Sequence, residues 1–395
     1  MSEGPLAGLR VVDLTRVLAG PFCTMLLADL GAEVIKVETP PAGDPIRVQG
    51  GMRDGFSWYF AGFNRNKRSI TLNLRTTEGM NILKDLLKSA DVLVENFRPT
   101  VLYDMGLTEE VLRKLNADLV VCSISGYGKT GPYRNRPAFD FIAQAMSGFM
   151  SSTGYPDSEP LRAGLPISDL VAGLYGALAV CASLVRRQRA GKGDRIDVAL
   201  VDSILSFASY FAAQYFATGE PMERCGNDHP VVAPYGLFRA SDGDVAIAPS
   251  NDQIYERLVK ALGLTEELSA PEFATNAERM RNREQINAII NARISQHTRD
   301  FWVERLNAAG VPCGPVLTYQ EAFEDPQVAA REMVIDVDHP GRGPVRMIGF
   351  PIKLAEAQCK IRLPAPELGA HTDEVLRSLG YNASEISELR DRGVV

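Results

Sequence analysis

Residues 161–180, LRAGLPISDLVAGLYGALAV, place one carboxylate, Asp169, at the head of an apolar run with helical spacing. An acid there has two uses. It can cap the helix, because a side-chain oxygen accepts from the unpaired N–H groups of a first turn. Gly164, Pro166 and Ser168 just upstream suit a loop that enters a helix. It can also be a nucleophile, since the positive partial field at a helix N-terminus favours the ionised form and a fixed carboxylate can attack an acyl group. An ordinary Asp, with a pKa of about 4, is ionised at neutral pH. The pattern by itself favours the cap, so the surrounding chain must argue for chemistry.

A second set of residues could hold a ligand. Arg65, Lys67 and Arg68 stand in NRNKRS (64–69), Arg75 follows closely, and Arg98 ends ENFRP (95–99). A single loop arginine is ordinarily a solvated charge. Several cations on one rim of an acidic protein instead suit a phosphorylated ligand. Other chemistries find no support. None of the four histidines (His229, His297, His339, His371) is paired at metal-ligand spacing, so no metal site is expected. YGKTG is no nucleophile elbow, and there is no Walker loop.

The elements that must position these residues alternate. LRVVDL (9–14), AEVIKVE (32–38), SITLNL (69–74), DVLVEN (91–96), DLVVCSIS (118–125) and RIDVAL read as strands, with helical patterns between most of them. Strand–helix–strand repeats of this length predict a parallel, Rossmann-like sheet with ligands at the carboxyl ends of its strands. Glu38 closes the first βαβ unit, as in dinucleotide-binding enzymes, but the turn TRVLAGPFC carries one glycine where that use needs three. The apolar stretch 169–190 reads as a helix. GEPMERCGNDHPVVAP (219–234) reads as a linker or an active-site loop. A smaller α+β domain follows, opening on two strands about an Asp-Gly turn. The expected divisions are a large domain over 1–215, a small one over 226–325, and a linker and C-terminal return to the large domain over 326–395.

Composition narrows the class. At 395 residues with 45% hydrophobic and 23% charged side chains, the chain has the make-up of a two-domain globular enzyme. A net charge of −7 argues against nucleic acid or an acidic membrane surface as partner. The six cysteines are scattered without a CxxC pair, the start MSEGPLAGLR lacks a signal-peptide pattern, and no uninterrupted run of 18 apolar residues occurs. These features predict reduced core thiols and a cytoplasmic protein.

Taken together, LRVVDLTRVLAGPFCTMLLADLGAEVIKVE, NRNKRSITLNL, ADVLVENFRP, SISGYGKTGPY, AQAMSGFMSSTG, ISDLVAGLYGALA and GVPCGPV resemble the class III, formyl-CoA transferase-like (CaiB/BaiF) family of CoA-transferases over nearly the whole chain. The resemblance implies that Asp169 is the catalytic nucleophile. Val17, Leu18, Leu72, Arg75, Asn96, Phe97 and Arg98 would contact coenzyme A, with Phe139 and Asp140 beside the reacting group. It also implies acyl-CoA and a small carboxylic acid as substrates, coenzyme A as part of the substrate with no permanent cofactor, and an interlocked homodimer.

The chain departs from the family pattern at Asp104 and Pro137, where other members carry basic residues, which shifts the expected phosphate binding onto Arg75 and Arg98. It lacks the glycine-rich loop of oxalate-using relatives, so oxalate is not the expected acceptor, and 226–236 is expected to line the pocket instead. Two other readings stay open. A racemase of the same fold would need a proton-moving His where Phe139 stands, and an acyl-CoA-binding protein could dispense with Asp169. Asp140 either orients the group at Asp169 or caps the helix that follows it.

Overall fold

The structure, a computed structural model, describes residues 4–395. One compact unit gathers residues up to Phe149 with Ala163–Ala208 and Gln327–Val395; the other holds Met150–Arg162 and Ser209–Pro326. This differs from the expected division at 150–162 and 209–215, which group with the smaller unit. Hydrogen bonds explain the first exchange: the Arg224 guanidinium donates to the carbonyls of Tyr155, Pro156 and Ser158, and Gly226 N donates to Gly154 O.

The larger unit is built on six strands: β1 (Arg10–Asp13), β2 (Glu33–Glu38), β3 (Lys67–Thr71), β4 (Val92–Glu95), β5 (Val120–Ser125) and β6 (Arg195–Ala199). All pairs are parallel, in the order β3-β2-β1-β4-β5-β6, the doubly wound arrangement. Both faces are covered, so successive strand residues serve different cores. Val12 joins Ile35, Leu93 and α3 (Thr77–Lys88) on one side, while Val11 joins Val34, Val92 and α1 (Ala19–Asp29) on the other. β3 begins two residues before the expected SITLNL. Lys67, which reads as a loop cation, is a fully buried strand residue whose ammonium meets Asp13 Oδ2 at 3.1 Å.

The apolar stretch forms one 24-residue helix, α5 (Ile167–Ala190), after the short α4 (Asp140–Met146). α5 is long and apolar enough to cross a membrane by length and composition, which the expected lack of an 18-residue apolar span does not anticipate. Half of its most apolar window is buried in the unit. Its small residues explain the packing: a Cβ on Gly173 would stand 2.6 Å from Ala19 O, so only glycine lets α1 approach this closely. The C-terminal return is tied to the sheet, because Thr71 N donates to Thr372 Oγ1 and Ser69 N to His371 Nδ1.

The smaller unit has an antiparallel sheet of β7 (Gly236–Ala240), β8 (Gly243–Ile247) and β9 (Cys313–Pro315). Helices α6 (Asp252–Leu262), α7 (Arg283–Ile294) and α8 (Arg299–Ala308) pack around Phe238, Val245, Leu258, Ile290 and Trp302. The 226–236 segment is no slack linker. Arg283 donates to His229 O at 2.7 Å, Asn287 donates to Asp228 Oδ1, and the His229 ring lies between Tyr210 and Tyr235. All six cysteines are free thiols, though only Cys23 and Cys122 are fully buried.

Candidate active site

Helix α5 starts at Ile167, with Pro166 in the capping position, so Asp169 is the third residue of the first turn and not the cap. The cap comes from another segment. Asp140 Oδ1 accepts from Ser168 N at 2.9 Å and from Ser168 Oγ at 2.7 Å, while its Oδ2 accepts from Gln144 Nε2 at 2.7 Å. Gln144 in turn receives Ala163 N on its Oε1. Asp140 does not cap the helix that follows it: it is the first residue of α4, whose capping position is Phe139, and its buried carboxylate caps α5 instead, fixing the turn that carries Asp169 and lying in its field.

That field alters the expected ionisation. Burial, with the Asp140 charge adding to it, pushes the Asp169 carboxyl up to about 7. The helix terminus does not keep it at an ordinary carboxylate value; near pH 7 the acid is poised between its two forms. Tyr59 lies on α2 (Trp58–Asn64), its ring 5.7 Å from that of Phe63. Burial first, then the charges of Asp169 and Asp44, push its phenol up to about 12, so it stays a hydrogen-bond donor at working pH.

A cleft of about 510 Å³ opens past the carboxyl ends of the central strands, lined among others by Thr15, Arg16, Glu38, Asp44, Arg75, Phe97 and Arg98. Its two acids are neutralised from below: Arg47 grips Glu38 through two bonds of 2.8 and 2.6 Å, and Lys36 meets Asp44 at 2.9 Å. Arg16, Arg75 and Arg98 are exposed and carry no ion pair among the described residues. The free charge at the cleft is therefore positive, as an anionic ligand requires. A cavity of equal volume beside Phe350 mixes Lys353, Lys360 and Arg362 with Asp29, Asp336 and Asp338, and presents no such bias.

The structure brings Arg75, Phe97 and Arg98 to this cleft. Asn96 brackets it, accepting from Arg16 N at 2.8 Å and donating to Arg16 O at 2.7 Å. Val17 N donates to Asp44 Oδ1. Leu18 and Leu72 have buried side chains, and Leu72 N is already bonded to Glu38 O, so neither presents its side chain to a ligand there. Phe139 is 73% exposed, while Asp169 is not a lining residue of the cleft. Arg65, Lys67 and Arg68 are not rim cations at all. Arg65 is buried against Asp29, Lys67 against Asp13, and Arg68 pairs with Glu33 and Glu374. Arg16 and Asp44 also line the cleft, although no motif or spacing in the sequence singles them out.

A doubly wound sheet with a cationic cleft beyond its strand ends is the architecture of α/β proteins that bind phosphorylated ligands. Residues 6–372 match the model of CoA-transferase family III. The chain is 38% identical to a human succinyl-CoA:glutarate CoA-transferase, covering 99% of this chain and 90% of that protein. It is 41% identical to an acetyl-CoA:oxalate CoA-transferase of Acetobacter aceti, covering 89% and 90%. A CaiB/BaiF family protein of Brucella suis superimposes with a TM-score of 0.86 at 40% identity, covering 96% of this chain and all of that one. The chain belongs to CoA-transferase family III, and it is a CoA-transferase.

Proposed function

We propose that this enzyme carries CoA from an acyl-CoA thioester to a free carboxylic acid through covalent intermediates on Asp169. The ionised carboxylate attacks the thioester carbonyl, the C–S bond breaks, and a mixed anhydride and CoA thiolate result. The thiolate attacks the aspartyl carbonyl, giving an aspartyl-CoA thioester and releasing the donor acid. The acceptor carboxylate attacks that thioester, forming a second anhydride and freeing the thiolate. Attack of the thiolate on the acceptor's acyl carbon then yields the new thioester and regenerates Asp169. Each step exchanges groups at a carbonyl, so no oxidant or metal enters the balance. The observation that carries this reading is the placement of Asp169: a carboxylate in the first turn of α5, on a turn fixed by the bonds of Asp140 to Ser168, where burial pushes the carboxyl up to about 7. The CoA phosphates are assigned to Arg16, Arg75 and Arg98, the cations that line the cleft.

A small dicarboxylate is the substrate class favoured by the relatives. Besides the glutarate and oxalate enzymes, similar proteins are named succinyl-CoA--D-citramalate and succinyl-CoA:mesaconate CoA-transferases. The oxalate relative keeps oxalate in the panel of acceptors, although the glycine-rich loop is missing.

One experiment separates this reading from racemisation. Enzyme is incubated in D₂O with a 2-methylacyl-CoA and a labelled carboxylate. Transfer leaves the α-carbon untouched, so the label should enter the thioester, an enzyme–CoA adduct should appear by intact mass, and the α-position should stay protonated. Phe139, standing where a second base would be needed, cannot move a proton. Rapid α-deuteration that depends on Asp169 and needs no carboxylate would overturn the assignment.

The interlocked homodimer belongs to the same proposal. It is supported by uncovered apolar side chains on the larger unit: Leu174, Leu178 and Val185 on α5, and Phe141, Ile142 and Met146 on α4. Sedimentation should give twice the chain mass of 43.1 kDa; a monomer at micromolar concentration would refute it.

A further inference from the structure

Val17 is a β-branched residue at φ 68° in the turn between β1 and α1. Such residues avoid this conformation, which persists only where the surroundings over-determine it. Here they do. Val17 N donates to Asp44 Oδ1 at 3.1 Å, and the same oxygen receives Ile46 N. Asp44 Oδ2 meets Lys36 Nζ at 2.9 Å, and both side chains are 0% exposed. Lys36 also donates to Thr15 O at 2.8 Å, so one ammonium ties the near end of the turn to the carboxylate that holds its middle. Burial opposes the charge on Lys36, yet Asp13, Asp44 and Glu38 outweigh it and keep the ammonium charged.

A buried ion pair is a poor stabiliser, since apolar residues of similar volume often serve a fold equally well. This pair stands directly beneath Thr15 and Arg16, which line the cationic cleft. We infer that Lys36 and Asp44 are positioning residues for coenzyme A: while Asn96 holds the carbonyl end of the Arg16–Val17 peptide, they hold its N–H end and the strained Val17 conformation, so that Arg16 and the backbone of the turn face the ligand. Without the pair, strain of this kind moves the local equilibrium away from that orientation by about tenfold. The inference rests on the reading of the cleft as the CoA site.

The test measures CoA binding by calorimetry, with KM for the acyl-CoA and for the carboxylate, in four proteins: wild type, Asp44→Ala, the apolar pair Lys36→Met with Asp44→Leu, and that pair with Val17→Gly. Both clamp variants should bind CoA about tenfold more weakly and raise the acyl-CoA KM alike, with the carboxylate KM unchanged. Glycine adopts positive φ without help, so Val17→Gly should return CoA binding to within about threefold of wild type. A purely structural role would not be rescued by removing a side chain from the turn. If Asp44→Ala fails to fold, the apolar pair carries the test. Wild-type CoA binding in a folded clamp variant, or no recovery with Val17→Gly, overturns the inference. Arg75→Ala and Arg98→Ala serve as the control: if they too bind CoA normally, the cleft reading fails; if they weaken binding while the clamp variants do not, only the clamp fails.

Discussion

Asparagine in place of Asp169 should lower transfer by about 10⁴-fold or more, as expected when the only nucleophile of a covalent route is removed. CoA binding and the cooperative thermal transition should survive. The helix loses little, because Asp140 supplies the cap of α5 and keeps its bonds to Ser168. The wild-type enzyme should show an acidic limb in kcat/KM for the acyl-CoA near pH 7, where the Asp169 carboxyl gives up its proton. Stability has the opposite sign. Between the ordinary Asp value and about 7, native Asp169 retains a proton that the unfolded chain has released, so ionising it costs stability as pH rises through that window. Asp169→Asn should therefore be more heat-resistant than wild type at pH 8, with the difference fading towards pH 4. A stable Asp169→Asn enzyme with near wild-type turnover would remove Asp169 from the reaction.

The parallel sheet was legible because its strands are buried on both faces and read as near-continuous apolar runs between helical patterns. The helix carrying Asp169 was legible from Leu170 onwards by its spacing, but its first turn was not. Ile167 and Ser168 look like loop residues until Asp140, 28 positions upstream, is seen to accept from Ser168. Capping by a distant acid leaves no local signature. The same reason hides the true state of the cations. Arg65, Lys67 and Arg68 look like one basic loop, yet their partners Asp29, Asp13 and Glu33 lie on other elements, and only folding shows those charges to be spent. Arg16 suffered the reverse error: it sits in a turn valued for its glycine, and nothing in the sequence says that no acid will reach it. The pKa of Asp169 is also a tertiary property, set by burial and Asp140 and not by its place on the helix.

Removing both arginines of the cleft, Arg75→Ala with Arg98→Ala, should raise the acyl-CoA KM by about 10²-fold and leave the KM of the carboxylate within about twofold. A hydrogen bond between charged groups contributes about 1.5–3 kcal/mol, but both side chains are exposed, so solvent screening puts each near the lower end, about tenfold. Their separate effects should add in free energy if each meets a different phosphate group. Arg16 cannot compensate fully, because its backbone is fixed by Asn96 and its guanidinium lies 5.4 Å from the centre of the Phe97 ring. The paired acids sharpen the expectation. Glu38 and Asp44 keep their cations Arg47 and Lys36, so without Arg75 and Arg98 the rim retains one free cation among those lining the cleft. Raising the ionic strength should weaken acyl-CoA binding to wild type more than to the double variant, since fewer charged contacts remain to be screened. Acyl-CoA kinetics unchanged in the double variant, at low salt as well as high, would place coenzyme A elsewhere on the molecule.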